Sequence, residues 1–389
     1  MDNIIVKELF SPHLSREVYF ILGNGFDIEV GLPTSYPEFL AFIEAVQYYY
    51  QGVIDNNTQM KTLFDEYLSV RKSKGKTTDL SKWKNLTLNF WYRHFKKAKI
   101  QKGWIDFENE IAYIIKLFED EVRKTDTVDQ IILYSQQSKF YSYIIRPMSD
   151  KYETIDPGTT IGGQWNSDIT YRQLRDILLQ ELNELISAFD MYLQDFVEEK
   201  EVNPTPAILD LLGKLVGFQE CRVLTFNYTS TFDRLIQKAA PELHVEYCHV
   251  HGRIGMEGKT GNIVLGIDEK YDAKGEVNVL LAPFKKYYQR VYKETDSCYT
   301  DWLRDIQANA DNDRELYIFG HSIGITDTDI LNSFITSPRM RTTVYSYNDK
   351  ARADQIANMT EIIGIDEMVR RNSGANKTLV FIQQAQKKK

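Results

Sequence analysis

The chain reads as an α/β protein: a doubly wound, mostly parallel sheet interrupted by one large helical insertion. Three observations carry this reading. Val18-Tyr19-Phe20-Ile21-Leu22 is a short apolar, β-branched and aromatic run that ends at Gly23 and Gly25, the pattern of a buried strand entering a tight turn. After about Gln219, runs of the same kind alternate with segments of helical spacing, which implies parallel strands covered by helices on both faces. Between these two regions the apolar residues recur mostly by threes and fours. A core formed by residues 1–36 and 220–389 is therefore expected, with residues 37–219 inserted as a helical lid.

The elements follow in order. Phe26 to Val30 has room for a short helix, stopped by Gly31-Leu32-Pro33. Thr34 or Ser35 then caps a helix with Pro37 in its first turn and Phe39, Leu40, Phe42 and Ile43 on its apolar face. Further helices are expected over Leu80–Lys97, over Asp106–Val122 and from near Asp126. The clearest spans Tyr171 to Glu199, where Leu178, Leu182, Leu185, Phe189, Tyr192 and Phe196 form a seam suited to a bundle or to a homo-oligomer contact. The glycines of Pro157–Gly163 suit a mobile flap or a plain surface loop. In the second half, strands are expected at Arg222–Phe226, His244–Val250, Asn262–Gly266, Glu315–Phe319, Thr343–Tyr347 and Leu379–Ile382. Helices are expected at Thr231–Ala239, Tyr287–Tyr292 and Tyr299–Ala308.

Composition narrows the function classes. The 389 residues are 43% hydrophobic, enough for a large core or two smaller ones, and carry a net charge of −8. An acidic balance weighs against nucleic acid as a partner. Cys221, Cys248 and Cys298 are scattered, which argues against a disulfide framework and a cysteine zinc site. Asp2, Lys7, Arg16 and Glu17 break up the N-terminal apolar residues, so no signal segment is read there, and no apolar run reaches membrane length. A cytoplasmic location without membrane attachment is expected. Lys387-Lys388-Lys389 reads as a solvated end.

The polar motifs gather at the ends of strands. On an open sheet wound in both directions, that edge is where ligands bind. Gly23-Asn24-Gly25 holds part of a dinucleotide fingerprint, with Ile28 where the third glycine would stand. Asp27 can accept from ribose hydroxyls or cap the helix that follows. Asn227, two residues past Thr225, can position a water or a sugar hydroxyl, or can simply shape a turn. His251, followed by the permissive Gly252, is a candidate general base or a structural histidine. His249 and His251 share one side of a strand, the placing of a metal pair; no further ligand cluster supports that reading, and no metal is expected. Gly320-His321-Ser322-Ile323-Gly324 spells a nucleophile elbow, but no histidine follows His321 to complete a hydrolase triad. A ligand-binding turn is the better reading, with Asp327 and Asp329 either assisting it or starting the next helix. Asp106 and Glu108, near Trp104, suit a capped helix start, or a carboxylate reaching the cleft.

Ile21-Leu22-Gly23-Asn24-Gly25-Phe26-Asp27, followed by Gly31-Leu32-Pro33-Thr34-Ser35-Tyr36 and Phe39, resembles the opening signature of the AbiH family, named for bacterial abortive infection against phage. Trp104 to Glu108, Thr225-Phe226-Asn227-Tyr228, His251-Gly252 and Phe319-Gly320-His321-Ser322 resemble its later blocks. The same blocks are similar, less closely, to sirtuin-like NAD-binding domains with a Rossmann-like core. That resemblance implies that Gly23 and Gly25 hold phosphates, that Asn227 orients the nicotinamide ribose or a water, and that His251 is a base on a ribose hydroxyl. Asn24, Asp27, Thr225, Gly320, His321 and Ser322 complete the expected ligand site. Thr229 departs from the acid of the sirtuin pattern, and the four-cysteine zinc module is absent, which argues against protein deacetylation. The resemblances together imply an antiphage NAD glycohydrolase, with NAD as substrate or ligand and a phage-derived trigger. Two alternatives stand beside it: a non-catalytic nucleotide sensor acting through a protein partner, and a nuclease effector.

Overall fold

A computed structural model describes residues 17–73, 80–102, 106–124, 128, 131–133, 137–155, 160–161, 164–166, 169–255, 260–267, 276–324 and 327–385. Two compact units form. The first comprises Met1–Leu32, Glu201–His251 and Thr295–Lys389; the second comprises Pro33–Lys200 and Gly252–Glu294. The pattern of strands and helices places 201–219 with the insertion and 252–294 with the sheet, and the chain clusters both segments the other way.

The first unit is built on six parallel strands: β1 (Glu17–Leu22), β2 (Glu220–Thr225), β3 (His244–His249), β4 (Arg314–Phe319), β5 (Met340–Ser346) and β6 (Leu379–Gln383). Their spatial order is β3-β2-β1-β4-β5-β6. The chain winds outward from β1 through β2 and β3, returns, and winds the other way through β4, β5 and β6. The topological switch point therefore lies between β1 and β4. This is the Rossmann-like doubly wound sheet that the strand pattern predicts.

Alternation along the strands explains both covered faces. Tyr19, Ile21, Leu224, Leu316, Ile318 and Val344 pack on one face with Trp302, Ile306, Phe334 and Met359. Val18, Phe20, Leu22, Val223, Tyr317 and Phe319 pack on the other with Ile208, Leu211, Phe232 and Leu235. A strand buried on both faces must be apolar at every position, which is why β1 shows no polar alternation.

In the second unit the helix Tyr36–Tyr50 begins at a capping box, with Ser35 and Glu38 satisfying each other's backbone amides, and buries Phe39, Leu40, Phe42 and Ile43. Asp106 caps Phe107–Val122 by accepting from the Glu108 and Asn109 amides. The long seam forms Tyr171–Tyr192 and continues as one π-helical turn over Leu193–Val197.

Two expectations need correction. The helix expected over Leu80–Lys97 begins only at Phe90, after short 3-10 turns at Ser81–Trp83 and Leu86–Leu88. Asn89 is the reason: its buried Oδ1 accepts from Trp91 N (3.0 Å) and Tyr92 N (3.2 Å), so the helix is capped there. Asn89→Ala should therefore lower stability by about 1–2 kcal/mol, read as a reduced thermal midpoint. The helix start expected near Asp126 lies outside the described residues; Ile132–Leu133 forms a strand, and Tyr141–Ile145 a π-helical turn. Finally, Asn262–Gly266 has no strand partner among the described residues; at Leu265 the Gln289 side chain takes that role, donating to Leu265 O and accepting from Leu265 N, both at 3.0 Å. Of the expected 157–163 loop, Thr160–Ile161 pairs antiparallel with Gln164–Trp165, and the rest lies outside the described residues, as do Trp104 and the terminal lysines.

Candidate functional site

Register brings the strand-end motifs together. Leu22 pairs with Thr225 and with Phe319, and Thr225 pairs with His249. Asn24, Asn227, His251 and His321 thus each stand two residues beyond one common line across the sheet. The pairing continues into the turns: Phe226 N donates to Leu22 O (2.9 Å), Val250 N to Thr225 O (3.1 Å), Gly23 N to Phe319 O (3.1 Å) and Gly25 N to Gly320 O (2.8 Å). Four chain-distant loops are fastened side by side at the carboxyl edge.

The glycines serve this fastening. A Cβ on Gly23 would meet Gly320 O and the His321 Cα at 2.7 Å, and one on Gly25 would meet the Gly320 Cα at 2.7 Å. Gly320 has φ +68°, and its Cβ would fall 2.2 Å from Phe26 N. The turns after β1 and β4 therefore touch backbone to backbone across the switch point.

Around β2 and β3 lies a buried polar group. Asp27, 1% exposed, accepts from Thr229 Oγ1 at 2.6 Å, and Thr231 Oγ1 donates to Thr229 Oγ1 at 3.0 Å. Asp27 therefore ties the β1 turn to the β2 turn. Thr225 Oγ1 accepts from Asn227 N at 3.0 Å and shapes that turn. Asn227 is 6% exposed, and its Oδ1 has no hydrogen-bond partner among the described residues. An unsatisfied buried acceptor costs about 1–3 kcal/mol, so a donor from water or ligand is called for there.

His251 Nε2 stands 3.1 Å from Asp327 Oδ1, and both residues are buried. When Nε2 carries the ring proton it donates to this carboxylate, and Nδ1 is then the nitrogen that bears the lone pair. His249, the other histidine of β3, turns to the Asn227 carbonyl at 3.3 Å, while its backbone amide donates to Asp296 at 3.2 Å. The two histidines thus have separate partners rather than one shared centre.

The Phe226 ring separates two imidazoles, with centroids 5.1 Å from His251 and 4.5 Å from His321, both edge-on. His321 Nδ1 accepts from Ile323 N at 2.9 Å. Beyond His321 opens a cavity of about 900 Å³ over the switch point, lined in part by Gly25, Gly320, His321, Ser322, Tyr345 and Gln355. Tyr345 donates its hydroxyl to Asp210, and burial with that carboxylate pushes its phenol well above the usual range, so it stays protonated. The expected residues therefore fall into two groups: Asp27, Thr225, Asn227 and His251 around β2 and β3, and Gly25, Gly320, His321 and Ser322 on the cavity. Gly23 and the exposed Asn24, whose carbonyl accepts from Ile28 N, form the turn between them. Glu108 of the second unit instead pairs with the buried Lys286 at 2.8 Å.

A family model described as "Bacteriophage abortive infection AbiH" matches residues 19–349. The chain belongs to the AbiH family. No curated protein matches it. The match begins within β1 and ends after β5, so every strand-end motif of this AbiH chain lies inside it, and bacteriophage abortive infection is its biological setting. Among the described residues no helix is long and apolar enough to cross a membrane.

Proposed function

We propose that this AbiH chain cleaves NAD at the nicotinamide–ribose bond, consuming water and releasing nicotinamide, ADP-ribose and a proton. The observation that carries the reading is the Asn227 amide oxygen: a buried acceptor without a partner among the described residues, at the ligand edge of a doubly wound sheet, one strand from the His251–Asp327 pair. The reaction needs little more than such a set. The bond breaks through an oxocarbenium-like state with nicotinamide leaving as a neutral base. A protein accelerates this by excluding bulk water, holding the ribose and placing one water. In this scheme Asn227 Oδ1 accepts from the attacking water or a ribose hydroxyl, and His251 Nδ1 takes the proton while Asp327 stabilises the imidazolium. The similarity of the glycine turn, Thr-x-Asn turn and His-Gly pair to sirtuin-like domains supports the same assignment. Destroying NAD would arrest an infected cell, in keeping with abortive infection.

Incubating the full chain with NAD, in the presence of phage lysate as a source of trigger, should release nicotinamide in proportion to protein. Retained NAD binding with no nicotinamide formed would favour a sensor acting through a partner.

A further inference from the structure

The cavity over the switch point is a feature that this reaction scheme leaves unused. Its volume of about 900 Å³ exceeds what one nicotinamide riboside moiety needs and lies at the upper end of small-molecule pockets. Its walls come from three strand ends, β4, β5 and β6, together with the short helix Gly25–Glu29 and the helix Asp349–Ile363.

We infer that this cavity holds the adenosine half of the dinucleotide and selects a ribose with free hydroxyls over one bearing a 2′-phosphate; the inference rests on the NAD reading of the site. Three features argue for it. First, Ile28 and Tyr347 line the cavity while 50% and 62% exposed, which leaves apolar and aromatic surface available to a base. Second, Gln384 lines it at 7% exposure, and its side-chain amide takes no hydrogen-bond partner among the described residues. An amide offers donor and acceptor together, which matches a purine edge. By contrast, the Gln355 amide is spent on the wall, accepting from Ser346 Oγ (2.7 Å) and donating to His321 O (3.0 Å). Third, the charged groups among the described lining residues are Glu29 and Asp354, both acidic. Carboxylates accept from ribose diols, as in nucleotide sites that prefer a free 2′-hydroxyl, whereas a 2′-phosphate calls for an arginine and would meet like charge here.

The test is calorimetric titration of the full chain with ADP-ribose and with 2′-phospho-ADP-ribose. ADP-ribose should bind at least about tenfold more tightly. Asp354→Lys, at an exposed position on the helix Asp349–Ile363, should narrow or invert that ratio, and Gln384→Leu should weaken both ligands equally. Equal affinities in the native chain, no binding of either ligand, or a ratio untouched by Asp354→Lys would overturn the inference. ADP-ribose contains no nicotinamide bond, so the preference is read independently of hydrolysis. Discrimination without nicotinamide release would sink the glycohydrolase and leave the cavity assignment standing. Nicotinamide released equally fast from NAD and NADP would do the reverse.

Discussion

Asp327→Asn is expected to slow nicotinamide release by about two to four orders of magnitude while leaving the chain folded. The replacement keeps the size and the hydrogen-bonding reach at a buried position 3.1 Å from His251 Nε2. It removes the charge that stabilises an imidazolium, and its amide can donate to the ring and reverse the tautomer, which takes the lone pair away from Nδ1. His251→Ala should abolish the activity to a similar extent, but it takes the imidazole away from a buried carboxylate, so a fall in stability accompanies it. Asn227→Ala separates function from fold most clearly. A structural asparagine loses stability when truncated. Here the oxygen removed is partnerless among the described residues, so the thermal midpoint should hold or rise even as nicotinamide release falls about a hundredfold. Unchanged turnover in both Asp327→Asn and Asn227→Ala would remove the chemical role given to this edge.

Much of this arrangement is legible in the chain because a parallel sheet obeys a simple rule: every strand ends at the same edge. A polar motif directly after an apolar run is then placed without knowing any distance, and Asn227, His251 and His321 were readable for that reason. Asp327 was not. It reaches His251 across 76 positions of sequence, and next to Asp329 it looks like any acid at a helix start. Thr229 was readable only as a departure from the sirtuin pattern, since its value lies in meeting Asp27 from 202 residues away. The missed element boundaries share one cause, the substitution of a side chain for backbone: the Asn89 carbonyl caps a helix that periodicity would begin earlier, and the Gln289 amide replaces the strand that Asn262–Gly266 appeared to need. The cavity residues Tyr347, Asp354 and Gln384 carried no motif at all, because a wall assembled from three strand ends and two helices has no linear pattern.

The largest structural effect is expected at Gly320, where the glycines prove to have a second use. A phosphate-cradling turn and a backbone-packing turn look alike in sequence, but they differ in what a methyl group would strike. At Gly320 it strikes Phe26 N at 2.2 Å and Gly25 C at 2.5 Å, and these are backbone atoms that cannot rotate aside. The position also holds φ at +68°, which costs an alanine about 1–2 kcal/mol before any clash. Adding overpacking of about 1–3 kcal/mol, Gly320→Ala should destabilise the first unit by roughly 2–5 kcal/mol. Gly31→Ala is the matched control: φ is +86°, yet nothing lies within 4 Å of the new methyl, so only the conformational cost remains. Thermal melts of the two variants should therefore differ by several degrees. The turns after β1 and β4 supply Gly25, Gly320, His321 and Ser322 to the cavity wall. Forcing them apart should weaken ADP-ribose binding in whatever fraction still folds, whereas Gly31→Ala should bind normally. Equal stability of the two variants would mean that the turns yield easily, and that the switch point is not the rigid seam its backbone contacts describe.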